Sequence, residues 1–221
     1  MRNYPYLIAS LPEIVLDFER SNYDVNAILE QIYINIPPKD KRFIDWLIFG
    51  LKGENLTNHF YREVMHTKNR FLNEYFKYDL DLRNIQAAFL SRRSSIDAGQ
   101  FLIGDSPLTE ALRTSKAADF GASEFFEDLT KLMTVLSGSN ILEREQNIDM
   151  LRWKKANEIN TFNYFDIDYL LGFILKLLII NRWDILDKKR GALLFKELVE
   201  DVRGSYRKEK EEEESEKETN N

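Results

Sequence analysis

The chain has 221 residues, 43% hydrophobic and 31% charged, which excludes a wholly disordered protein and allows one sizeable core or two small lobes. It contains no cysteine, which excludes disulfides, thiolate metal sites and cysteine nucleophiles. The net charge is −6, and basic residues are mixed with acidic ones along most of the chain. A nucleic acid partner is therefore not expected, because phosphate binding needs a broad basic face.

Two helices are predicted in the first quarter of the chain. The first covers VNAILEQIYINI, with Asn22 or Asp24 as its N-cap, and the two prolines that follow end it. The second covers KDKRFIDWLIFGLK and is expected to stop at Gly53, because glycine favours the end of a helix.

Residues 54–95 contain neither glycine nor proline, so little in the local sequence would end a helix there. The sequence predicts one very long helix, or two with a bend near residues 78–81, opened by Asn55 or Thr57. One long helix, straight or bent, is favoured. Two apolar stripes run along it: Tyr61, Met65, Leu72 and Phe76, and Phe71, Tyr75 and Tyr78. Two stripes favour a helix that is packed in the core on both sides over one with a free side for a partner.

The segment DAGQFLIGDS, residues 97–106, is the clearest interruption, because its two glycines and the following Pro107 break a helix. It is predicted to be a loop or a boundary between lobes. The later predicted helices cover residues 108–114, residues 123–136 with Ser123 as cap, residues 139–159, an apolar helix from Asn163 or Asp166 through Leu178, and a final helix capped by Asp187.

These elements predict an all-α fold with long helices over residues 1–204, either as one helical body or as two lobes with a boundary near residues 97–107. The end of the chain, YRKEKEEEESEKETNN, has no aliphatic residue after Val202 and so has no face to bury. Residues 205–221 are therefore predicted to form a charged, disordered tail.

The location of the protein is predicted from two segments. The N-terminal segment MRNYPYLIASLPEIVLDF has two prolines and Glu13 where a signal peptide needs an unbroken apolar core. The most apolar window, residues 169–180, contains Lys176 and is shorter than the roughly 20 residues that span a membrane. The sequence therefore predicts a cytoplasmic protein without a membrane-inserted helix.

The string DLDLRNIQAAFLSRR carries the most unusual polar pattern. Asp81, Asn84 and Arg92 lie beside its apolar face, with the small residue Ala88 between them. They are predicted to form a polar seam against a close neighbouring helix, with Asp81 and Arg92 paired, since an unpaired buried charge is very unfavourable. Arg93 lies one position further round the helix and is predicted to face a partner protein.

The search for catalytic and metal-binding residues gives none. His59, Glu63 and His66 share one helical face, and Glu63 with His66 forms the Glu-x-x-His pair of di-iron bundles. The chain has only two histidines, so the second pair of such a site cannot be built, and an exposed polar face is favoured. Patterns of the types GxxxxGK[ST], GxGxxG and GxSxG are absent, so no cofactor-binding residue is predicted either.

Three segments resemble a known family. YPYLIASLP, DLDLRNIQAAFLSRR and FDIDYLLGFILKLLIINRWDILDKKRGALLFKELVEDV are similar to the bacterial subunit-C-like proteins of V-type rotary ATPases. The family's turn into a helix, Asp-x-x-Asn-Leu or Asp-x-x-Asn-Ile followed by a basic residue, resembles Asp81, Asn84, Ile85 and Arg92 to Arg93. The longer members have three similar helical lobes, whereas 221 residues hold two at most.

The resemblance implies a non-catalytic subunit without cofactors that couples the central stalk to the membrane rotor ring and passes torque between them. It implies that the partners are other V-type ATPase subunits and that the chain is cytoplasmic and peripheral to the inner membrane through the complex. Two other functions remain open on the residues alone. They are a free-standing helical scaffold or regulatory protein, and a helical metal-dependent enzyme.

Overall fold

The computed structural model describes residues 3–18, 23–186 and 191. These residues contain α-helices and short 3-10 turns but no strand, which confirms the predicted all-α fold. The chain divides into two compact units, one of Met1–Leu16 and Tyr23–Ile179 and the other of Asp17–Asn22 and Ile180–Asn221. The final helix predicted at Asp187 and the predicted tail, residues 205–221, lie outside the described residues.

The helices of the described residues are α1 (Pro5–Ser10), α2 (Val25–Asn35), α3 (Pro38–Gly50), α4 (Asn58–Met65), α5 (Arg70–Arg93), α6 (Pro107–Thr114), α7 (Leu129–Ser137), α8 (Ile141–Ile159) and α9 (Ile167–Ile185). Short 3-10 turns cover Gly53–Asn55, Ala98–Gln100 and Ala122–Glu124.

Several predicted helix starts are confirmed by side-chain caps. The carboxylate of Asp24 accepts a hydrogen bond from the backbone N–H of Ala27 at 3.0 Å, and Thr57 caps α4 in the same way. Asp166 caps α9 by accepting from the N–H of Tyr169 at 3.1 Å. The predicted stop at Gly53 is wrong, because α3 already ends at Gly50 and Gly53 begins a 3-10 turn.

The prediction of one long helix, straight or bent near residues 78–81, is also wrong. The helix breaks earlier, between α4 and α5, and α5 then runs unbroken for 24 residues. Asn69 explains the break, because its side chain accepts from the N–H of Leu72 at 2.8 Å and so caps a new helix. The amide of Asn73 also donates to the carbonyl oxygen of Met65, the last residue of α4.

The start of α7 differs from the prediction as well. Ser123 lies in a 3-10 turn, and α7 begins only at Leu129. The preceding backbone is left-handed at Phe120 and Gly121, with φ of 59° and 62°, and this interrupts a helix. The next helix, α8, is capped by Asn140, whose side chain accepts from the N–H groups of Leu142 and Glu143.

The core of the first unit surrounds α5. Near its start, the rings of Phe71, Tyr75 and Phe76 are fully buried, and the ring centroids of Phe76 and Phe60 of α4 lie 5.1 Å apart. Further along, α5 contributes to a second cluster with residues of α6, α7 and α8: Tyr78, Leu82, Ile85, Ala88, Leu108, Leu112, Leu129, Leu132, Leu136, Ile148 and Leu151. The stripe residues on α5 are buried, and of the two that lie on α4, Tyr61 is buried and Met65 is half-buried, which confirms the favoured core interpretation.

The segment between α5 and α6, which leads up to Pro107, lies inside the first unit. The division between the two compact units therefore falls elsewhere in the chain than residues 97–107. No helix in the described ranges is long and apolar enough to cross a membrane.

Candidate functional site

A buried group of charged side chains joins α5 to α8. The Asp79 carboxylate accepts from Arg152 Nε at 2.9 Å and from Arg83 Nε at 2.6 Å. Arg152 in turn donates from Nη1 to Asp149 Oδ1 at 3.0 Å. The side chains of Asp79 and Asp149 are 2% exposed and that of Arg152 is 8% exposed. We call these four residues the α5–α8 ion cluster; it fixes the two helices at one register.

The electrostatics of the cluster keep Asp79 and Arg152 ionised. Burial by itself would raise the pKa of Asp79, but the guanidinium groups of Arg152 and Arg83 hold that pKa below its ordinary value. Burial would likewise lower the pKa of Arg152, and the Asp79 carboxylate raises it instead. The opposite charges therefore offset the penalty of burial as long as all partners are present.

Two tyrosines lie beside the cluster. The hydroxyl of Tyr61 donates to Asp79 Oδ2 at 3.4 Å, whereas the buried hydroxyl of Tyr75 makes no hydrogen bond within the described ranges. Burial and the nearby Asp79 charge raise the pKa of both phenols well above the ordinary value. Both phenols are therefore neutral near pH 7, and Asp79 is closed to solvent. This arrangement suits a structural contact rather than a catalytic site, because a substrate would have to reach the carboxylate from solvent.

A second polar contact centres on Asp128, at the start of α7. Its carboxylate accepts from the hydroxyl of Tyr78 at 3.1 Å and from the amino groups of Lys131 and Lys154, each at 3.2 Å. Burial alone would raise the pKa of Asp128, but the two lysines hold it below its ordinary value. Asp128 thereby connects α5, α7 and α8, and it is unavailable as the side-chain cap of α7.

A third contact ties the start of α5 to the start of α9. Asp168 is fully buried and accepts from the amide of Asn69 at 2.6 Å, with Arg70 Nε 3.7 Å from its other oxygen. Burial raises the pKa of Asp168 in spite of these two partners. Asn69 therefore serves twice, as the cap of α5 and as the donor to α9.

The predicted pair of Asp81 and Arg92 is not formed. Eleven residues along a helix place them about 16 Å apart, too far for an ion pair. Arg92 instead donates to the carbonyl oxygens of Ala117 and Ser115, at 2.5 and 2.8 Å, and its guanidinium carbon lies 3.6 Å from the ring centroid of Phe120. Arg92 thus holds the segment after α6 against the end of α5.

Asn84 is buried, and it also contacts a connecting segment rather than a helix. Its amide nitrogen donates to the carbonyl oxygen of Ile103 at 3.0 Å, and its oxygen accepts from the N–H of Ile103 at 2.9 Å. The structure therefore places Asn84 and Arg92 in two separate contacts of α5. Arg93 is exposed on the surface.

Asp81 itself is half-buried and makes no hydrogen bond or ion pair with the described residues. Burial raises its pKa from 3.8 to about 6, although the charge of Lys77 opposes this shift. The pKa is thus higher in the folded protein than in the unfolded chain. Ionisation of Asp81 therefore destabilises the fold as the pH rises from about 4 to above 6.

We predict that Asp81→Asn stabilises the protein at pH 7 by about 1 kcal/mol, a value reduced for solvent screening of a half-buried group. Urea unfolding at pH 7 and at pH 3.5 would measure the difference in unfolding free energy between Asp81→Asn and wild type. The difference should vanish at the lower pH, where the side chain at position 81 is largely uncharged in both proteins. Asp105→Asn, at a side chain that is 92% exposed, is the control and should change little at either pH. Equal or lower stability of Asp81→Asn at pH 7 would contradict the prediction.

The histidine group lies on α4 and just beyond its end. Arg62 Nη2 lies 3.5 Å from His59 Nδ1, and the Nδ1 of His66 lies 2.6 Å from the carbonyl oxygen of Arg62. His66 Nδ1 is therefore occupied by a backbone contact, in which it must carry the proton. Within the described ranges, no three His, Asp or Glu side chains are grouped so as to hold a metal ion.

Sequence reasoning missed the α5–α8 ion cluster. Its local part was visible, because Asp79 and Arg83 are four residues apart and Asp149 and Arg152 are three apart, as in pairs on one helix. The contact between Asp79 and Arg152 joins residues 73 positions apart, and no pattern in a single sequence indicates such a contact.

The chain matches a protein family. A family model described as "Protein of unknown function (DUF2764)" matches residues 50–205. This range includes all members of the α5–α8 ion cluster together with Asp128 and Asp168. No curated protein and no solved structure matches the chain.

Proposed function

We propose that this chain, which belongs to the DUF2764 family of unknown function, is a non-catalytic subunit of a V-type rotary ATPase. In that complex it would couple the central stalk to the membrane rotor ring. It would act on the cytoplasmic side, held at the inner membrane through the complex. The observation that carries the proposal is the resemblance of three segments to the subunit-C-like proteins.

Two contacts support the proposal, because they connect the segments that carry the resemblance. The N–H of Tyr4, in the first segment, donates to the carbonyl oxygen of Phe165, which opens the third segment, at 2.5 Å. Asn69, which caps the helix that holds the second segment, donates to Asp168 of the third. Segments that are distant in sequence thus belong to one connected arrangement.

The length of α5 and its polar contacts also support a role in passing torque. A helix of 24 residues is about 36 Å long, and it transmits a load only if it neither slides nor rotates against its neighbours. Asp79 fixes it to α8, Asn69 to α9, and Asn84 and Arg92 to two connecting segments. Directional polar contacts fix register more strictly than apolar contacts, which tolerate small shifts.

The proposal predicts that the chain purifies with the rotary ATPase and is needed for coupling. Affinity purification of the ATPase through a tagged head subunit should recover this chain at a fixed ratio to the stalk subunits. Membrane vesicles from a deletion strain should keep ATP hydrolysis by the head but lose ATP-driven ion uptake. Reintroduction of the chain should restore uptake, and this is the control for effects of the deletion on neighbouring genes.

The proposal would be overturned if the chain were absent from the purified ATPase and ion uptake were normal without it. Such a result would favour the free-standing scaffold. A protein that carries one metal ion per chain and has hydrolytic activity would instead favour the metal-dependent enzyme.

A further inference from the structure

Lys176 is the single charged residue in the apolar part of α9, between Asp168 and Arg182. The residues three and four positions away on either side, which lie beside it on the helix, are all uncharged. Lys176 is nevertheless only half-buried. A lysine in such a position packs its carbon chain against apolar surface and directs its amino group towards solvent. The amino group thus has apolar surroundings and remains within reach of a small reagent.

The contacts of this amino group are with two neutral side chains of α8. Lys176 Nζ donates to Asn157 Oδ1 at 3.2 Å and lies 5.4 Å from the ring centroid of Trp153. It forms no ion pair with any residue in the described ranges. Glu158, which follows Asn157 in the sequence, is paired with Lys154 at 3.0 Å. Among the described residues, no carboxylate therefore holds Lys176 in its ammonium form.

Burial without a counter-charge changes the chemistry of the amine. It disfavours the ammonium form, and it therefore lowers the pKa of Lys176 below the ordinary value of 10.5. Near pH 7, more of this amine is neutral than in an ordinary lysine. Only the neutral amine has the lone pair that attacks an electrophile, and desolvated lysines of this kind serve as nucleophiles in proteins.

The surroundings of Lys176 favour one class of product. Addition of carbon dioxide would leave a carbamate anion and phosphorylation would leave a charged phosphoramidate, so both would place a new charge where no counter-charge is available. Acylation leaves a neutral amide, whose N–H can still donate to Asn157 Oδ1. A small acyl group suits a half-buried side chain that lies beside the ring of Trp153.

We propose that Lys176 is an acylation site of this protein, modified by a small acyl phosphate. The lone pair of neutral Nζ attacks the acyl carbon, and the bond from that carbon to the phosphate oxygen breaks. Phosphate leaves with the electron pair of that bond, and a proton passes from the nitrogen to water. Acylation thereby removes the charge between α8 and α9 and keeps the hydrogen bond to Asn157. This inference is independent of the proposed function.

The test treats the full chain with acetyl phosphate at pH 7 and measures the acetylation rate of each lysine by mass spectrometry. Lys176 should react at least about threefold faster than Lys77, because more of its amine is neutral. Lys77 is the reference because it is exposed, so that accessibility alone would make it the faster of the two. In urea the two rates should become similar, since the folded surroundings of Lys176 are then lost.

The variant Asn157→Asp tests the assigned cause. It places a carboxylate at hydrogen-bond distance from Lys176 Nζ, which should hold the ammonium form and abolish the faster reaction. The matched control is Asn147→Asp, which adds the same charge ten residues earlier on α8, about 15 Å away along the helix. This control should acetylate like wild type, and circular dichroism should show that both variants are folded.

Three results would overturn the inference. The first is a rate at Lys176 that is equal to or lower than the rate at Lys77 in the folded chain. The second is a faster reaction of Lys176 that persists in urea, because it would then come from the local sequence. The third is an unchanged rate at Lys176 in folded Asn157→Asp, because the neutral contact with α8 would then have no part in the reactivity.

Discussion

Replacement of Asp79 by asparagine should destabilise the protein by about 3–5 kcal/mol, the usual cost of leaving a buried charge without its partner. The substitution preserves the size of the side chain but removes the charge that Arg152 and Arg83 share. Arg152 stays buried with Asp149 as its remaining carboxylate in the cluster. Urea unfolding at pH 7, followed by circular dichroism, would measure the loss.

Two comparisons make the result specific to the α5–α8 ion cluster. Asp105→Asn removes an exposed partner of Arg113 and should cost only about 0–1 kcal/mol. The double variant Asp79→Asn with Arg152→Gln should lose less than the sum of the two single variants, because each single change leaves a charge behind. A loss of less than about 1 kcal/mol for Asp79→Asn would mean that the cluster is not a buried ionic contact.

The same variant should alter the pH dependence of stability. The pKa of Asp79 is lower in the folded protein than its ordinary value of 3.8. The contribution of the Asp79 charge to the unfolding free energy is therefore fully present above that pH. The contribution is lost as the pH falls through the lowered, folded-state pKa. The difference in unfolding free energy between wild type and Asp79→Asn should therefore narrow in acid.

Replacement of Gly50 by alanine should destabilise the protein by about 1–3 kcal/mol, as other added atoms in packed cores do. A Cβ atom at this position would lie 2.4 Å from the Cζ atoms of both Phe60 and Phe76. Those rings are 3% and 0% exposed and pack edge to face, so neither can move aside freely. Thermal unfolding of the purified variant would show the loss as a lower Tm.

Gly53→Ala is the matched control, because nothing lies within 4 Å of the Cβ atom that it would add. Its Tm should equal that of wild type or exceed it slightly, since alanine restricts the unfolded chain more than glycine does. Helix propensity alone would also favour alanine at Gly50, by about 1 kcal/mol. A higher Tm for Gly50→Ala would therefore show that propensity outweighs the close packing.

The local sequence was a good guide to helix starts where a single side chain decides them. Asp24, Thr57 and Asp166 each cap a helix through a bond to the backbone N–H three residues further along, so the signal lies within one turn. Asn69 carries the same kind of signal at the break between α4 and α5, which the absence of glycine and proline from residues 54–95 does not indicate. The candidate site was predicted less well, since Asp81 and Arg92 were expected to pair and do not.

The sequence by itself determined the all-α class and the burial of the apolar stripe residues of α5, because apolar spacing is a local property that fixes which face of a helix leaves water. Only the tertiary structure decided that Asp79 pairs with Arg152, that Asn84 binds Ile103 and that the N–H of Tyr4 donates to the carbonyl oxygen of Phe165. Each of these contacts joins positions that are distant along the chain. Their energies depend on burial and on distances of about 3 Å, which exist only once the helices have packed.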